Sequence, residues 1–431
     1  MFGGLEGWRV GKNGGQKTED GGLKAEDQKA GCLKEKNGGI LAEDKKIEIC
    51  FLTNKDVKGF LALLNNVWPL QHTFQKQWPH TSMPDQKKFK EHLLLKEGGF
   101  VAAHVGIYPQ DMKVNGSILK SGSIGGVATH EKARGKGYMS VLLKRAVELL
   151  HERKYDVSWL GGDRKRYGYF GWECGGRVSK FITAPRYFSE YKTRAIKKFS
   201  GERVYLNQLT KLHSAEEFGQ KRSRALDKLL YGRLKRDTWL ALERDKVLAY
   251  MTLGTKHSDE QARVLECGGS LEELKPLIRH AFDKLGFKRL EAVTPSFPNR
   301  YKEFFNGFSW GDKSDDFYGD GCVKIINLSQ TLKKFVKQMN LKAKSSVLSG
   351  RHSVTLVMEG TGESATIESA GKIVRVTANP AKLKIVLNEQ DMVKLLFPLS
   401  KPSEWMKLPA GAEFLDILFP LDFFLWPLET V

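Results

Sequence analysis

Apolar and polar positions fall into three successive patterns along the chain. The first predicts strands over 47–52, 100–108, 156–160 and 177–183 and helices over 56–67, 87–95 and 138–153. It also predicts a hairpin at Asn115-Gly116 that leads into a strand ending at Val127. Helix 138–153 is the clearest element, with Met139, Leu142, Leu143, Ala146, Val147 and Leu150 on one face. The order then returns: two strands around Arg244-Asp245 within 239–253, a strand over 262–267, a helix over 271–285 and a strand over 288–293. Past residue 326 a helix (329–339), strands over 353–358, 365–369, 373–377 and 382–387, and helices over 392–397 and 413–419 predict a further unit. The fold class is therefore α+β: two mixed-sheet units followed by a smaller unit of strands and helices.

The two ends depart from this patterning in opposite ways. Residues 1–46 are polar and glycine-rich and repeat themselves, Lys12-Asn13-Gly14-Gly15 returning as Lys36-Asn37-Gly38-Gly39, which predicts a disordered low-complexity leader. Residues 419–431 are apolar where chain ends are usually frayed and polar, which predicts a docked tail. The expected organisation is a leader (1–46), two α/β units (47–190 and 191–326) and a third unit (327–431).

Composition narrows the class. Apolar and charged residues make up 41% and 28% of the 431 positions, as in globular proteins, and no apolar run approaches the roughly 20 residues that cross a bilayer. No apolar secretion segment is visible, and the five cysteines (Cys32, Cys50, Cys174, Cys267, Cys322) are scattered and odd in number. The expectation is reduced thiols and a cytoplasmic location. The ten histidines show no ligand spacing, so no metal is expected. The leader carries one net positive charge, so nearly all of the +20 belongs to the rest of the chain. Charge alone, without a recognition motif, does not make a nucleic-acid partner.

The chemistry is concentrated between Gly125 and Met139. A run of small and β-branched residues (Gly126, Val127, Ala128) leads through Thr129, His130 and Glu131 into Lys132-Ala133-Arg134-Gly135-Lys136-Gly137-Tyr138-Met139, and a helix follows at once. Strand, glycine turn and helix N-terminus together make a diphosphate site: glycines let the main chain approach, and unpaired amides and the helix dipole favour the anion. No Gly-Lys-Ser/Thr closes the loop as in a P-loop, and the third glycine of a dinucleotide fingerprint is missing. The middle of the chain has no such loop, since Cys267-Gly268-Gly269-Ser270 runs straight into its helix.

This arrangement resembles the acetyl-CoA pyrophosphate loop of the GNAT N-acetyltransferases. The domain order resembles those of the enhanced-intracellular-survival type, with a catalytic GNAT domain, a degenerate second GNAT domain and a sterol-carrier-protein-like domain. The resemblance is strongest at Val127 to Met139 and at Tyr167-Gly168-Tyr169-Phe170-Gly171-Trp172. It implies acetyl-CoA as cosubstrate, bound along Gly126, Val127 and Ala128 and at Lys132 to Met139, with Gly162 and Asp163 also lining it. It implies Tyr167 as the general acid toward the leaving thiolate and the α-carboxylate of Val431 as the general base toward the amine. It further implies a small-molecule or peptide amine as acceptor and a homo-oligomeric assembly. Lys132 departs from the family's Gln or Arg, and the bulky Tyr138-Met139 pair follows the last glycine directly. Trp68, Trp78, Trp159 and Phe424 are candidate walls of the amine pocket. The competing reading is a non-catalytic CoA- or lipid-binding protein.

Overall fold

The computed structural model describes residues 47–68, 72–82, 85–188, 195–255, 260–309 and 321–430, together with the backbone strands Lys34–Lys36, Gly39–Ala42 and Ser314–Phe317. The rest of the leader lies outside the described residues. Its two strands are a departure from expected disorder: they pair antiparallel at the edge of Ile47–Phe51, where an unpaired row of main-chain groups is open to them.

The first sheet continues from that edge through His92–Glu97 and Phe100–Pro109 to Gly122–Thr129, antiparallel throughout. Here the sequence reading misassigned one element. The helix expected over 87–95 is a short 3-10 turn, Gln86–Glu91, followed by the strand His92–Glu97. Three consecutive leucines, Leu93, Leu94 and Leu95, are all buried, because both faces of that strand are covered. A strand covered on both faces loses its alternation and reads as a helix segment. The helices Val57–Val67 and Tyr138–Glu152 lie against this sheet, with Phe60, Leu63 and Leu64 buried from one and Leu142, Leu143, Ala146 and Leu150 from the other.

The second sheet contains Arg236–Glu243, Lys246–Thr255, Gln261–Gly269 and Arg289–Pro295, with helix Leu271–Asp283 packed on it, in the order the sequence predicts. Sheet membership, however, crosses the expected boundary at 190. Arg177–Thr183 pairs with Arg289–Pro295 in the second sheet, while Gly321–Ile325 pairs with Val157–Gly161 and Glu173–Cys174 beside the first. Each half thus completes the other, which no local pattern could announce.

The third unit is a sheet ordered Ile373–Thr377, Ser364–Ala370, Arg351–Met358, Lys384–Leu387, with Leu328–Lys334, Val336–Lys344 and Glu389–Leu396 as its main helices. The chain then runs back through the molecule. Residues 418–426 are buried without interruption. Leu421 N–H donates to the Leu396 carbonyl (2.7 Å), Gly219 N–H donates to the Phe424 carbonyl (3.1 Å), and Asp422 pairs with Arg177 at 2.7 Å. The apolar tail is docked, as its composition predicted. Among the described residues, no helix is long and apolar enough to cross a membrane.

Candidate active site

The strands Gly122–Thr129 and Val157–Gly161 run parallel and meet at a single bridge, Ser121 with Val157. Beyond it they belong to different sheets. Helix Tyr138–Glu152 connects these two arms.

One arm carries a β-bulge. His104 pairs with Ala128 and Gly106 with Gly125, so Gly126 and Val127 together face only Val105. Gly126 is left-handed (φ +60°), a conformation that glycine adopts without strain. Its carbonyl accepts a hydrogen bond from Nδ1 of the fully buried His104 (2.7 Å), and Nε2 of that ring lies 3.2 Å from Nδ1 of His92. Since a carbonyl only accepts, His104 carries its proton on Nδ1 and receives one from His92. Burial holds both rings neutral, His104 at about 4 and His92 at about 2, the latter lowered further by His104 and Lys88. The peptide joining Gly126 to Val127 is planar and trans, so its N–H points opposite to its carbonyl. The Val127 amide is thereby turned away from His104. Sequence reasoning missed His92 and His104, which are twelve residues apart on two strands and have no motif.

Directly after the first arm, His130 caps a 3-10 turn, Glu131–Ala133. The amides of Lys132, Ala133 and Arg134 are used inside it, bonding to His130 Nδ1, the His130 carbonyl and the Glu131 carbonyl. These residues can offer an anion their side chains, not their main-chain donors, and Ala133 is buried. The open donors lie further on. The first bond of the next helix runs from Val141 N–H to the Gly137 carbonyl (3.1 Å), and no side chain caps it. The amides of Tyr138, Met139 and Ser140 thus face the loop without an intrahelical partner. Gly135 and Gly137 are left-handed (φ +78° and +75°), and a Cβ on either would meet nothing within 4 Å. Lys136 is turned aside to Glu97 (2.7 Å), an exposed pair of little energetic weight.

The other arm ends at Gly161. Asp163 accepts a hydrogen bond from Lys165 N–H (2.9 Å) and so starts the turn Arg164–Tyr167. Gly162 leaves room for the tyrosine: a Cβ there would stand 2.6 Å from the Tyr167 ring. Tyr167 is 8% exposed and packs edge-on to Trp172. Burial, reinforced by Cys322, raises its hydroxyl above the ordinary phenol value. The third unit grips this turn: Gln390 Nε2 donates to the Gly168 carbonyl (3.0 Å), and Glu389 pairs with the buried Lys324 (2.6 Å).

Residues 48–175 are an acetyltransferase (GNAT) domain. They match the family model of that description, and the match spans the bulge, the loop and Tyr167. No curated protein sequence matches the chain. Among solved structures it is similar to a GCN5-related N-acetyltransferase from Kribbella flavida (TM-score 0.62, 14% identity, 88% of this chain and 99% of that one). It is also similar to one from Anabaena variabilis (0.63, 12%, 86% and 96%) and to Eis1 from Mycobacterium abscessus (0.58, 11%, 88% and 98%). At such identities the likeness is one of fold, and it takes in nearly the whole of each of those chains.

Replacing Gly135 of the GNAT domain with valine tests the loop. A β-branched residue at φ +78° carries strain of about 1–3 kcal/mol, relieved only by moving the open amides. Calorimetry is expected to show CoA binding weakened at least about tenfold; unchanged affinity would take the loop out of the site.

The tail reaches the GNAT domain. Gln110 Nε2 donates to the Glu429 carbonyl, and the Thr430 backbone stands beside His80. Next to His80, Thr81 adjoins the Tyr108 hydroxyl, which lies 3.3 Å from where a Cβ on Gly126 would be. The tail thus ends within a few neighbours of the bulge; Val431 itself lies outside the described residues. Of the candidate pocket walls, Trp159 and Phe424 are core residues, 2% and 0% exposed, and Trp68 and Trp78 pack on the cluster around Phe60 and Phe74. Each ring does more for stability by burying its area than it could at a pocket rim.

The histidine spacing also hid a convergence. His213, Glu266 and Glu429 bring ligand atoms within 4.8 Å of one another, all buried. The cation in their midst is Arg222, 2.8 Å from Glu266 and 2.9 Å from Asp227. Burial pushes the Glu266 carboxyl up, but Arg222, His213 and the hydrogen bonds from Arg222 and Tyr231 together hold the group at about 2. Glu429 also accepts from Gln220 N–H (2.9 Å) and Trp426 N–H (2.8 Å), so this network latches the tail.

Proposed function

We propose that the protein transfers the acetyl group of acetyl-CoA to a primary amine by direct attack. The observation that carries this reading is that the bulge at Gly126 and Val127 and the first amides of helix Tyr138–Glu152, which have no intrahelical partner, lie on one continuous strand, loop and helix segment. The helix amides, with Lys132 and Arg134, take the diphosphate of the donor substrate, where the helix dipole adds to their charge. The Val127 amide takes the thioester carbonyl oxygen, whose negative charge grows as the amine attacks. A donor aimed at such an oxyanion contributes about 2.7–4 kcal/mol. Gly126, Ala128, Gly162 and Asp163 shape the walls.

Attack forms the amide C–N bond and breaks the C–S bond. Tyr167 gives its phenolic proton to the departing sulfur, and the α-carboxylate of Val431 takes the proton that the ammonium must lose. The upward displacement of the Tyr167 hydroxyl supports the acid role, because the group stays protonated at every pH at which an amine is acetylated. The docked tail supports the base role.

The second α/β unit serves as a degenerate GNAT domain in this reading. Its helix Leu271–Asp283 carries Glu272 and Glu273 in the first turn, which occupy the dipole and repel phosphate. A Cβ on Gly269 would lie 2.3 Å from the Leu248 carbonyl oxygen, so backbone fills the space a diphosphate would need. The third unit, read as sterol-carrier-like, supplies Gln390 and the tail to the active site. The test is thiol release from acetyl-CoA over a panel of amines: a polyamine, an aminoglycoside and a lysine-containing peptide. Turnover with at least one is expected. CoA binding without turnover on any would leave the non-catalytic reading in its place.

A further inference from the structure

Two buried histidines stand behind the bulge. His104 and His92 are 0% and 2% exposed, and both rings pack edge-on to Phe60 of helix Val57–Val67, with centroids 4.9 and 4.7 Å away. Burial keeps both neutral, so each carries one ring proton. The contacts decide where those protons sit. The Gly126 carbonyl only accepts, which places the His104 proton on Nδ1 (2.7 Å). His104 Nε2 is then an acceptor and takes the Nδ1 proton of His92 (3.2 Å). Both donors of this short chain point toward the bulge.

What they hold there is a peptide with freedom to turn. Gly126 sits at φ +60°, and without a Cβ it has a wide choice of backbone angles at little cost. Turning the Gly126–Val127 peptide over exchanges its carbonyl and its N–H, because the two point in opposite directions. The bulge is also where the strand Gly122–Thr129 opens: Gly125, Gly126 and Val127 are partly exposed between the buried Ile124 and Ala128. A Cβ on Gly126 would stand 3.3 Å from the His104 ring, so a larger residue would press on the ring that makes this bond.

We propose that His104, held in turn by His92, is a positioning residue for acetyl transfer: its bond to the Gly126 carbonyl keeps the Val127 N–H turned toward the thioester. The proposal rests on the acetyl-transfer reading and deepens it, since it names what aims the oxyanion donor. With the peptide turned over, a carbonyl would stand where negative charge develops, and attraction would become repulsion. A donor already aimed needs no reorganisation as the amine attacks. The bond also polarises the peptide, because a carbonyl that accepts makes the N–H across the same amide a better donor. His92 acts one step further back. Its N–H occupies His104 Nε2, so His104 keeps its own proton on Nδ1 and keeps its hold on Gly126.

The experiment uses the whole protein labelled with carbonyl-13C glycine and 15N valine. Gly126-Val127 is the only place in the chain where valine follows glycine, so a carbon–nitrogen–proton correlation spectrum contains a single peak, which reports that carbonyl and that N–H together. In the wild type, the ketone analogue of acetyl-CoA, with methylene in place of sulfur, is expected to move the Val127 amide proton downfield. CoA, which has no acyl carbonyl, should move it much less. His104→Phe keeps a ring against Phe60 and removes the donor. The Gly126 carbonyl resonance should then move upfield, the response to the ketone should be lost, and kcat should fall about 10²–10³-fold with CoA affinity within about twofold. His104→Asn, whose amide N–H can take the place of Nδ1–H, should restore most of the rate and the response. His92→Phe should weaken both in part. If His104→Phe does not fold, His92→Phe, which leaves His104 in place, decides by the same readouts. A wild-type amide that moves with the ketone, beside histidine variants that change neither the carbonyl resonance nor kcat, overturns the proposal and leaves the acetyl-transfer reading standing. A wild-type amide that ignores the ketone, with no amine acetylated, overturns the reading and the proposal with it, even where His104 still governs the carbonyl.

Discussion

Tyr167→Phe is expected to lower kcat by about 10²–10⁴-fold while leaving the affinity for CoA within about twofold, the range a positioned general acid contributes. The substitution removes one oxygen and keeps the ring, so the edge-on packing against Trp172 and the fit over Gly162 survive. Stability should therefore stay close to wild type, and the loss belongs to the chemical step. The pH dependence follows from the environment. Burial raises the Tyr167 hydroxyl above its ordinary value near 10, and the acid must be protonated to act. Any alkaline fall in kcat that this tyrosine causes therefore lies above pH 10. A limb below pH 9 that vanished in Tyr167→Phe would contradict the geometry. So would unchanged turnover in steady-state thiol release.

Two or more residues added after Val431 are expected to reduce acetyl transfer by a similar factor, about 10²–10⁴. The extension turns the terminal carboxylate into an amide, which is no base. The latch upstream should persist. Glu429 keeps its bonds to Gln220 and Trp426, and Arg177 keeps Asp422. The folded protein and its CoA affinity should thus be retained, which separates loss of a base from loss of structure. Full turnover in an extended chain, measured beside unmodified protein, would remove Val431 from the mechanism.

Much of this architecture is legible in local pattern. Helix Tyr138–Glu152, the hairpin at Asn115-Gly116, the strands of all three units and the open glycine loop follow from spacing, because each depends on residues close in sequence. The misread segment was the buried strand His92–Glu97, whose leucines face cover on both sides. The loop itself was only partly legible. Its glycines were visible, but the amides of Lys132, Ala133 and Arg134 proved to be used within the turn, which shifts the open donors toward Tyr138.

What the sequence determined alone is the set of elements, the glycine turn before a helix, and an apolar tail that had to be covered. These rest on short-range periodicity and on conformations that only certain residues adopt cheaply. Only the tertiary structure decided that Arg177–Thr183 and Gly321–Ile325 exchange sheets, that His104 locks the bulge at Gly126, and that Arg222 gathers Glu266 and Glu429 under the tail. It also brought Gln390 to the Tyr167 turn and the buried Arg233 to the Leu428 carbonyl. These contacts join residues up to hundreds of positions apart, and their strength comes from burial, which a linear pattern of residue types does not contain.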